Sequence, residues 1–156
     1  MFRFSKFSCM TEVMEISAIN TYLVRNAVLR KGKPLETCLF AGDTLPTTKH
    51  FGIFSPHLLG VISMYDNSSA IFHDPTQIQL RGMAILEGYQ RQGLGKQLIG
   101  SCEKYILSSE KKTLIWFNAR ENAVAFYKKL GYQTVGGIFD IQDVGQHFVM
   151  FKKLCT

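Results

Sequence analysis

Gln90-Arg91-Gln92-Gly93-Leu94-Gly95 stands between two segments of different periodicity. Before it, residues 78–86 (IQLRGMAIL) form a short apolar run that predicts a strand. After it, Leu94, Leu98, Cys102 and Tyr105/Ile106 recur at steps of four and three, which predicts a core-facing helix over residues 93–108. A glycine-rich turn that opens a helix presents unpaired backbone N–H groups at the positive end of the macrodipole. That arrangement is a ready-made phosphate site. Arg91 and Lys96 flank it with full positive charge.

Two familiar phosphate loops do not fit. A Walker A loop needs Lys and Ser/Thr after its second glycine, but Leu94 and Gly95 follow Gly93. No lysine would then reach the terminal phosphates, and no hydroxyl would hold magnesium. A dinucleotide fingerprint needs a third glycine where Leu98 stands. A third pattern, Gln/Arg-x-x-Gly-x-Gly/Ala, is matched by Gln90, Gly93 and Gly95. Downstream, residues 118–132 read NARENAVAFYKKLGY. Together the two blocks, in this order, resemble the GCN5-related N-acetyltransferase (GNAT) superfamily. The first looks like its pyrophosphate loop and the second like its Asn-x-x-Ala-x-x-Phe-Tyr-x-x-x-Gly-Phe/Tyr segment. The resemblance is strong from about residue 58 onward. Earlier, VLRKGKP, AGD and HFG resemble a branch of small bacterial GNAT proteins whose acceptor is unassigned.

The rest of the chain supplies the frame. Residues 18–30 carry Ile19, Leu23, Ala27 and Val28 at helical spacing, with Lys31-Gly32-Lys33-Pro34 as the stop. A short second helix is expected over residues 35–40. Residues 49–54 (KHFGIF) and 58–65 (LLGVISMY) read as a hairpin across Ser55-Pro56-His57. Gly82 inside the next strand suggests a bulge or a close backbone approach. Residues 113–117 (TLIWF) read as a strand buried on both faces. Asn118 with Glu121 predicts a capping box for a helix whose core stripe is Ala119, Ala123, Phe126 and Leu130, capped by Gly131. Residues 133–139 and 146–153 close the chain as antiparallel strands. The order predicts an α/β fold with a mixed sheet around a βαβ crossover. The resemblance sharpens this to a mostly antiparallel sheet of six to seven strands, with splayed parallel strands and helices on both faces.

At 156 residues the chain has the length of one domain. Residues 1–12 are expected to be a flexible tail, with one acetyltransferase domain over residues 13–156, and Met10 or Met14 could serve as the start. No apolar run approaches the roughly 20 residues of a membrane span, and the N-terminus lacks the apolar core of a signal peptide. A cytoplasmic protein is therefore expected. Cys9, Cys38, Cys102 and Cys155 are scattered, which predicts reduced thiols, and no Cys/His spacing suggests a metal. The net charge of +6 admits an anionic cofactor. Lys and Arg are dispersed without interleaved aromatics, which argues against nucleic acid.

The resemblance implies a site. The pantetheine arm of acetyl-CoA would lie along Met83, Ala84 and Ile85, using backbone groups of Met83 and Ile85. Its pyrophosphate would rest on Gln90, Arg91, Gln92, Gly93, Leu94, Gly95 and Lys96, and Asn122 would touch the pantetheine. Spacing alone leaves Tyr127 open between a structural residue beside the core and a cleft residue. The family match makes it the general acid that protonates the leaving thiolate. Asn118 is open between helix cap and ligand. The base is open among Glu87, Asp43, His50, His147 and an ordered water. The expected activity is acetyl-CoA-dependent N-acetylation of a primary amine by direct attack in a ternary complex. The acceptor would be a small molecule or a protein amine. The net basic surface disfavours a polycationic acceptor unless Asp43, Glu87 and residues 140–143 form a local acidic pocket. The competing readings are a catalytically silent CoA-binding sensor or scaffold and a small basic ribosome-associated or nucleic-acid protein. A homodimer is common among such proteins, and residues 146–153, if at a sheet edge, could pair with another chain.

Overall fold

In the computed structural model, residues 10–111 and 113–155 are described. The expected tail over residues 1–12 and the thiol of Cys9 therefore lie largely outside the described residues. The β2–β3 hairpin has the expected bounds, with β2 at Lys49–Phe54 and β3 at Leu58–Tyr65. The Ser55 N–H donates to the His57 carbonyl across the turn. A strand absent from the sequence reading, β1 (Glu12–Ile16), pairs antiparallel with β2. Its alternation of Glu12, Val13, Met14 and Glu15 is too short to register as a period, and only β2 gives it a place.

The seven strands lie in the order β1-β2-β3-β4-β5-β7-β6, where β4 is Gln77–Ile85, β5 is Thr113–Arg120, β6 is Gln133–Ile141 and β7 is Gly145–Leu154. Only β4 and β5 are parallel, joined by the crossover helix. The terminal strand is not an edge. β7 inserts between β5 and β6, so the edges are β1 and β6. His147, Val149, Met150 and Leu154 give β7 an apolar, buried character suited to an interior strand.

Among the described residues three α-helices cover the sheet: α1 (Ala18–Leu29), α2 (Leu94–Leu107) and α3 (Val124–Lys129). Val24 of α1 packs on Val61 and Ala84. The opposite face carries the larger core, where Leu94, Leu98, Ile99, Cys102 and Ile106 of α2 meet Leu59, Ile62 and Leu80. Tyr105 is turned out to the surface, its ring 5.7 Å from that of Phe51. Helices therefore flank both faces, as the fold class requires. Residues 35–38 form the expected short helix, as one 3-10 turn.

Two helix faces differ from the sequence reading. In α1 the buried stripe is Thr21, Val24 and Arg25, while Ile19 and Leu23 are 70% and 74% exposed. Polar satisfaction of Arg25 outweighs burial of the two aliphatics. In the third helix the Asn118–Glu121 capping box does not form. Asn118 pairs with Val149, and β5 stays extended to Arg120, which pairs with His147. The α3 helix starts later, after a 3-10 turn at Glu121–Ala123, and has no side-chain cap. Its inward residues are accordingly Val124, Tyr127 and Leu130, and Phe126 is half-exposed. The C-terminus follows expectation: Gly131, at φ +91°, closes a Schellman pattern in which Tyr132 N–H donates to the Tyr127 carbonyl.

No helix among the described residues is long and apolar enough to cross a membrane. Cys38 and Cys102 are buried thiols and Cys155 is an exposed one.

Candidate active site

The β4–β5 ladder holds only three pairs, Gln77 with Leu114, Ile78 with Ile115 and Gln79 with Trp116. Beyond them β4 runs on to Ile85 and β5 to Arg120 without pairing to each other. The strands part, and a cleft of about 450 Å³ opens between them. Gly82 forms part of its wall. It has φ +64°, and the β3–β4 register slips opposite it between Val61 and Ser63. A Cβ there would come within 3.0 Å of Arg25 Nε and of the Phe40 ring. The expected bulge is met, whereas the close approach comes from the side chains of Arg25 and Phe40 and not from another backbone.

At the top of β4 the chain turns through Glu87–Tyr89 and reaches Gly93, the left-handed N-cap of α2. The Gln97 N–H donates to the Gly93 carbonyl, the first helical bond. Leu94, Gly95 and Lys96 therefore present N–H groups without helical acceptors, and no side chain caps them. A Cβ on Gly93 would meet nothing within 4 Å, so the turn itself is uncrowded on that side. Gln90 donates to the Ile85 carbonyl at 2.9 Å and ties the loop to the end of β4. Arg91 holds φ +59°, an unusual conformation for a side chain with a Cβ. Met83 lines the cleft, and its Cε lies 3.7 Å from the Cβ position of Gly95, so the cleft abuts the helix start.

Tyr127 faces the cleft from α3. Its ring lies 4.4 Å from that of Phe117 and 5.0 Å from that of Phe126. Burial pushes its phenol up to about 12, so it holds its proton at neutral pH. No described group hydrogen-bonds the hydroxyl. His147 reaches the same cleft from β7. Its Nδ1 lies 2.7 Å from the Gly145 carbonyl. A carbonyl only accepts, so Nδ1 carries a proton, and whenever the ring is neutral the lone pair lies on Nε2.

The other candidate bases lie elsewhere. Asp43 is paired with Arg25 at 2.6 Å, both buried. Burial by itself would raise the Asp43 carboxyl, but hydrogen bonds from Arg25, Tyr65 and the Phe40 N–H outweigh it and hold the group below its usual range. His50 uses both nitrogens, Nε2 on the Asp43 carbonyl and Nδ1 on Ser63 Oγ. Glu87 is exposed beside the glycine loop and does not line the cleft. Asn118 is exposed and lines the cleft, whereas Asn122 is exposed outside it. Among the described residues no group of His, Cys, Asp and Glu could hold a metal ion.

Sequence reasoning missed Arg30, Arg81 and Arg120, which all line the cleft. Their signals were weak: the end of a helix, the residue before Gly82, and the end of a strand.

The acetyltransferase (GNAT) domain family matches residues 46–154. The chain is also 36% identical, over 94% of its own length and 99% of the other, to YitI of Bacillus subtilis, described as an uncharacterized N-acetyltransferase. It belongs to the GNAT acetyltransferase family. Among solved structures, Escherichia coli ElaA superposes with TM-score 0.72 at 15% identity, covering 92% of this chain and 99% of that one. Arabidopsis thaliana NAA60, in complex with acetyl-CoA, superposes with TM-score 0.70 at 12% identity, covering 93% and 99%. These likenesses confirm the expected fold.

Proposed function

We propose that this chain moves an acetyl group from acetyl-CoA to a primary amine by direct attack in a ternary complex. The observation that carries the reading is the continuity of the site. Uncapped N–H donors at Leu94, Gly95 and Lys96 abut an open cleft that holds Tyr127 and His147. The donor set suits a pyrophosphate: backbone N–H groups, open space at Gly93, and the cations of Arg91 and Lys96. The edge of β4 that faces β5 has no partner strand at Met83, Ala84 and Ile85, which suits an extended amide-bearing arm. One lone pair of the Ile85 carbonyl is already taken by Gln90.

In this reading His147 Nε2 accepts a proton from the acceptor ammonium, directly or through water. The freed nitrogen attacks the thioester carbonyl carbon. The C–N bond forms, the C–S bond breaks, and the second nitrogen proton leaves to solvent. Tyr127 donates its phenolic proton to the departing sulfur and is reprotonated from solvent. Burial raises the phenol to about 12, so this transfer needs the thiolate to be desolvated in the same cleft, which raises its own affinity for the proton.

The test is a thermal shift with acetyl-CoA, CoA and ADP. At about 100 times Kd a ligand adds roughly 2.7 kcal/mol, which at roughly 2–4 °C per kcal/mol raises Tm by several degrees. A rise with acetyl-CoA and CoA that ADP does not reproduce supports the reading. No shift at millimolar acetyl-CoA removes it.

A further inference from the structure

The cleft has a one-sided charge. Three arginines line it, Arg30 from the end of α1, Arg81 from β4 and Arg120 from the end of β5. No Asp or Glu lines it. None of the three arginines forms an ion pair among the described residues, whose salt bridges engage Arg25, Lys49, Lys152 and Lys153 instead. The acids that could have made an acidic pocket are elsewhere: Asp43 is bound to Arg25, and Glu87, Asp140 and Asp143 do not reach the cleft.

Two of the arginines are held in place. The Arg30 and Arg81 guanidinium carbons lie 5.6 and 5.2 Å from the centre of the Phe40 ring, and Arg81 also lies 5.0 Å over Tyr65. Arg81 donates to the Ala41 carbonyl at 3.3 Å. Packing around the Phe40 ring, which Arg25 also approaches at 4.1 Å, restricts two long side chains before any ligand arrives, so less freedom is lost on binding. Arg81 stands four residues before the end of β4, about 13 Å along the strand from Ile85 at about 3.3 Å per residue. Arg81 is therefore placed away from the N–H donors of α2, which begins only beyond the turn that follows β4.

Resting on the acetyltransferase reading, we infer that the acceptor is a small amine that also carries an anionic group, a carboxylate or a phosphate. Arg30, Arg81 and Arg120 would receive that group while its amine meets His147. Guanidinium forks match both anions. A polyamine or a lysine-rich peptide would place its extra cations against unpaired arginines, with no carboxylate to receive them.

The experiment measures CoA thiol release with acetyl-CoA and paired acceptors. The acidic set is the twenty amino acids, phosphoserine and phosphoethanolamine. The comparison set is the corresponding amino-acid amides, ethanolamine and spermidine. Preference for amino acids over their amides identifies a carboxylate acceptor, and preference for phosphoethanolamine over ethanolamine a phosphate one. Hydrogen bonds to charged groups contribute enough for a roughly ten- to hundred-fold preference in kcat/KM. Arg81→Gln and the more exposed Arg120→Gln should each raise acceptor KM by about tenfold and leave the KM for acetyl-CoA unchanged. Equal or better transfer to neutral or polycationic amines overturns the inference, as does no transfer to any acidic member. Arginine variants that change only the KM for acetyl-CoA also overturn it. Failure of acetyl-CoA to bind at all would instead show in the thermal shift, and would remove the acetyltransferase reading itself.

Discussion

Two polar regions meet at Gly82, and they are built from the same residue types. On one side Arg25 donates to Asp43, Ser63, Tyr65 and the Cys38 carbonyl, and His50 is bound through both nitrogens. On the other side the cleft holds Arg30, Arg81, Arg120, Tyr127 and His147. The first region is buried and almost fully partnered, with Arg25 Nε the one buried side-chain polar atom lacking a hydrogen bond among the described residues. The second is open, and its arginines have no ion-pair partner among the described residues. The difference teaches that residue identity does not separate scaffold from chemistry in this molecule. Whether a polar group already has its partner does.

The comparison breaks first at Asp43. In Asp43→Ala the guanidinium of Arg25 stays buried without its counter-ion. Loss of one member of such a pair costs about 3–5 kcal/mol, so thermal unfolding should shift down by roughly 6–20 °C at 2–4 °C per kcal/mol. The wild-type pair also carries a pH signature. The folded carboxyl titrates below its ordinary value of 3.8. Its stabilisation is therefore present above that value and is lost as pH falls through the lower folded value. An acid titration of Tm should show this slope in the wild type and lack it in Asp43→Asn. An unchanged Tm in Asp43→Ala would mean that the pair does not hold α1 to the sheet.

Tyr127→Phe tests the open side with the opposite pattern. It removes one hydroxyl with no described hydrogen bond and leaves the ring stacked on Phe117. Transfer rate should fall by about a hundredfold or more, the low end for a positioned general acid, with Tm and the acetyl-CoA-induced shift kept. A fall in Tm without loss of rate would move Tyr127 to the structural side. The smallest effect is expected at Gly93→Ala. Space is open there, so the cost is the left-handed backbone alone, about 1–2 kcal/mol. That cost should appear both as a small drop in Tm and as weaker CoA binding, read by titration calorimetry. Wild-type affinity in this variant would show that the loop geometry is not needed for the cofactor.

The periodic parts of the fold were legible in the chain. The β2–β3 hairpin, the α2 face and the Gly131 cap all follow from local pattern, because each is settled within a few turns or one hairpin. The faces of α1 and α3 were not. Aliphatic spacing at Ile19 and Leu23 pointed outward once Arg25 found partners 13, 18, 38 and 40 residues away in the chain. The start of α3 moved because β7 keeps β5 extended to Arg120, and that moved Tyr127 from the edge of a stripe to its inward face. Among the proposed bases, Asp43 and His50 looked as available in sequence as His147, and only their partners set them apart.

By itself the sequence determined the loop from Gln90 to Gly95, its place between a strand and a helix, and the block that carries Tyr127. Such features depend on residues close together in the chain, where glycine conformation, helix termini and side-chain periodicity act. Only the tertiary structure decided the parting of β4 and β5, the burial of Asp43 with Arg25, and the gathering of Arg30, Arg81 and Arg120 around one cleft. Those outcomes rest on strand order and on competition for hydrogen-bond partners across the sheet, and neither is written in any single stretch of residues.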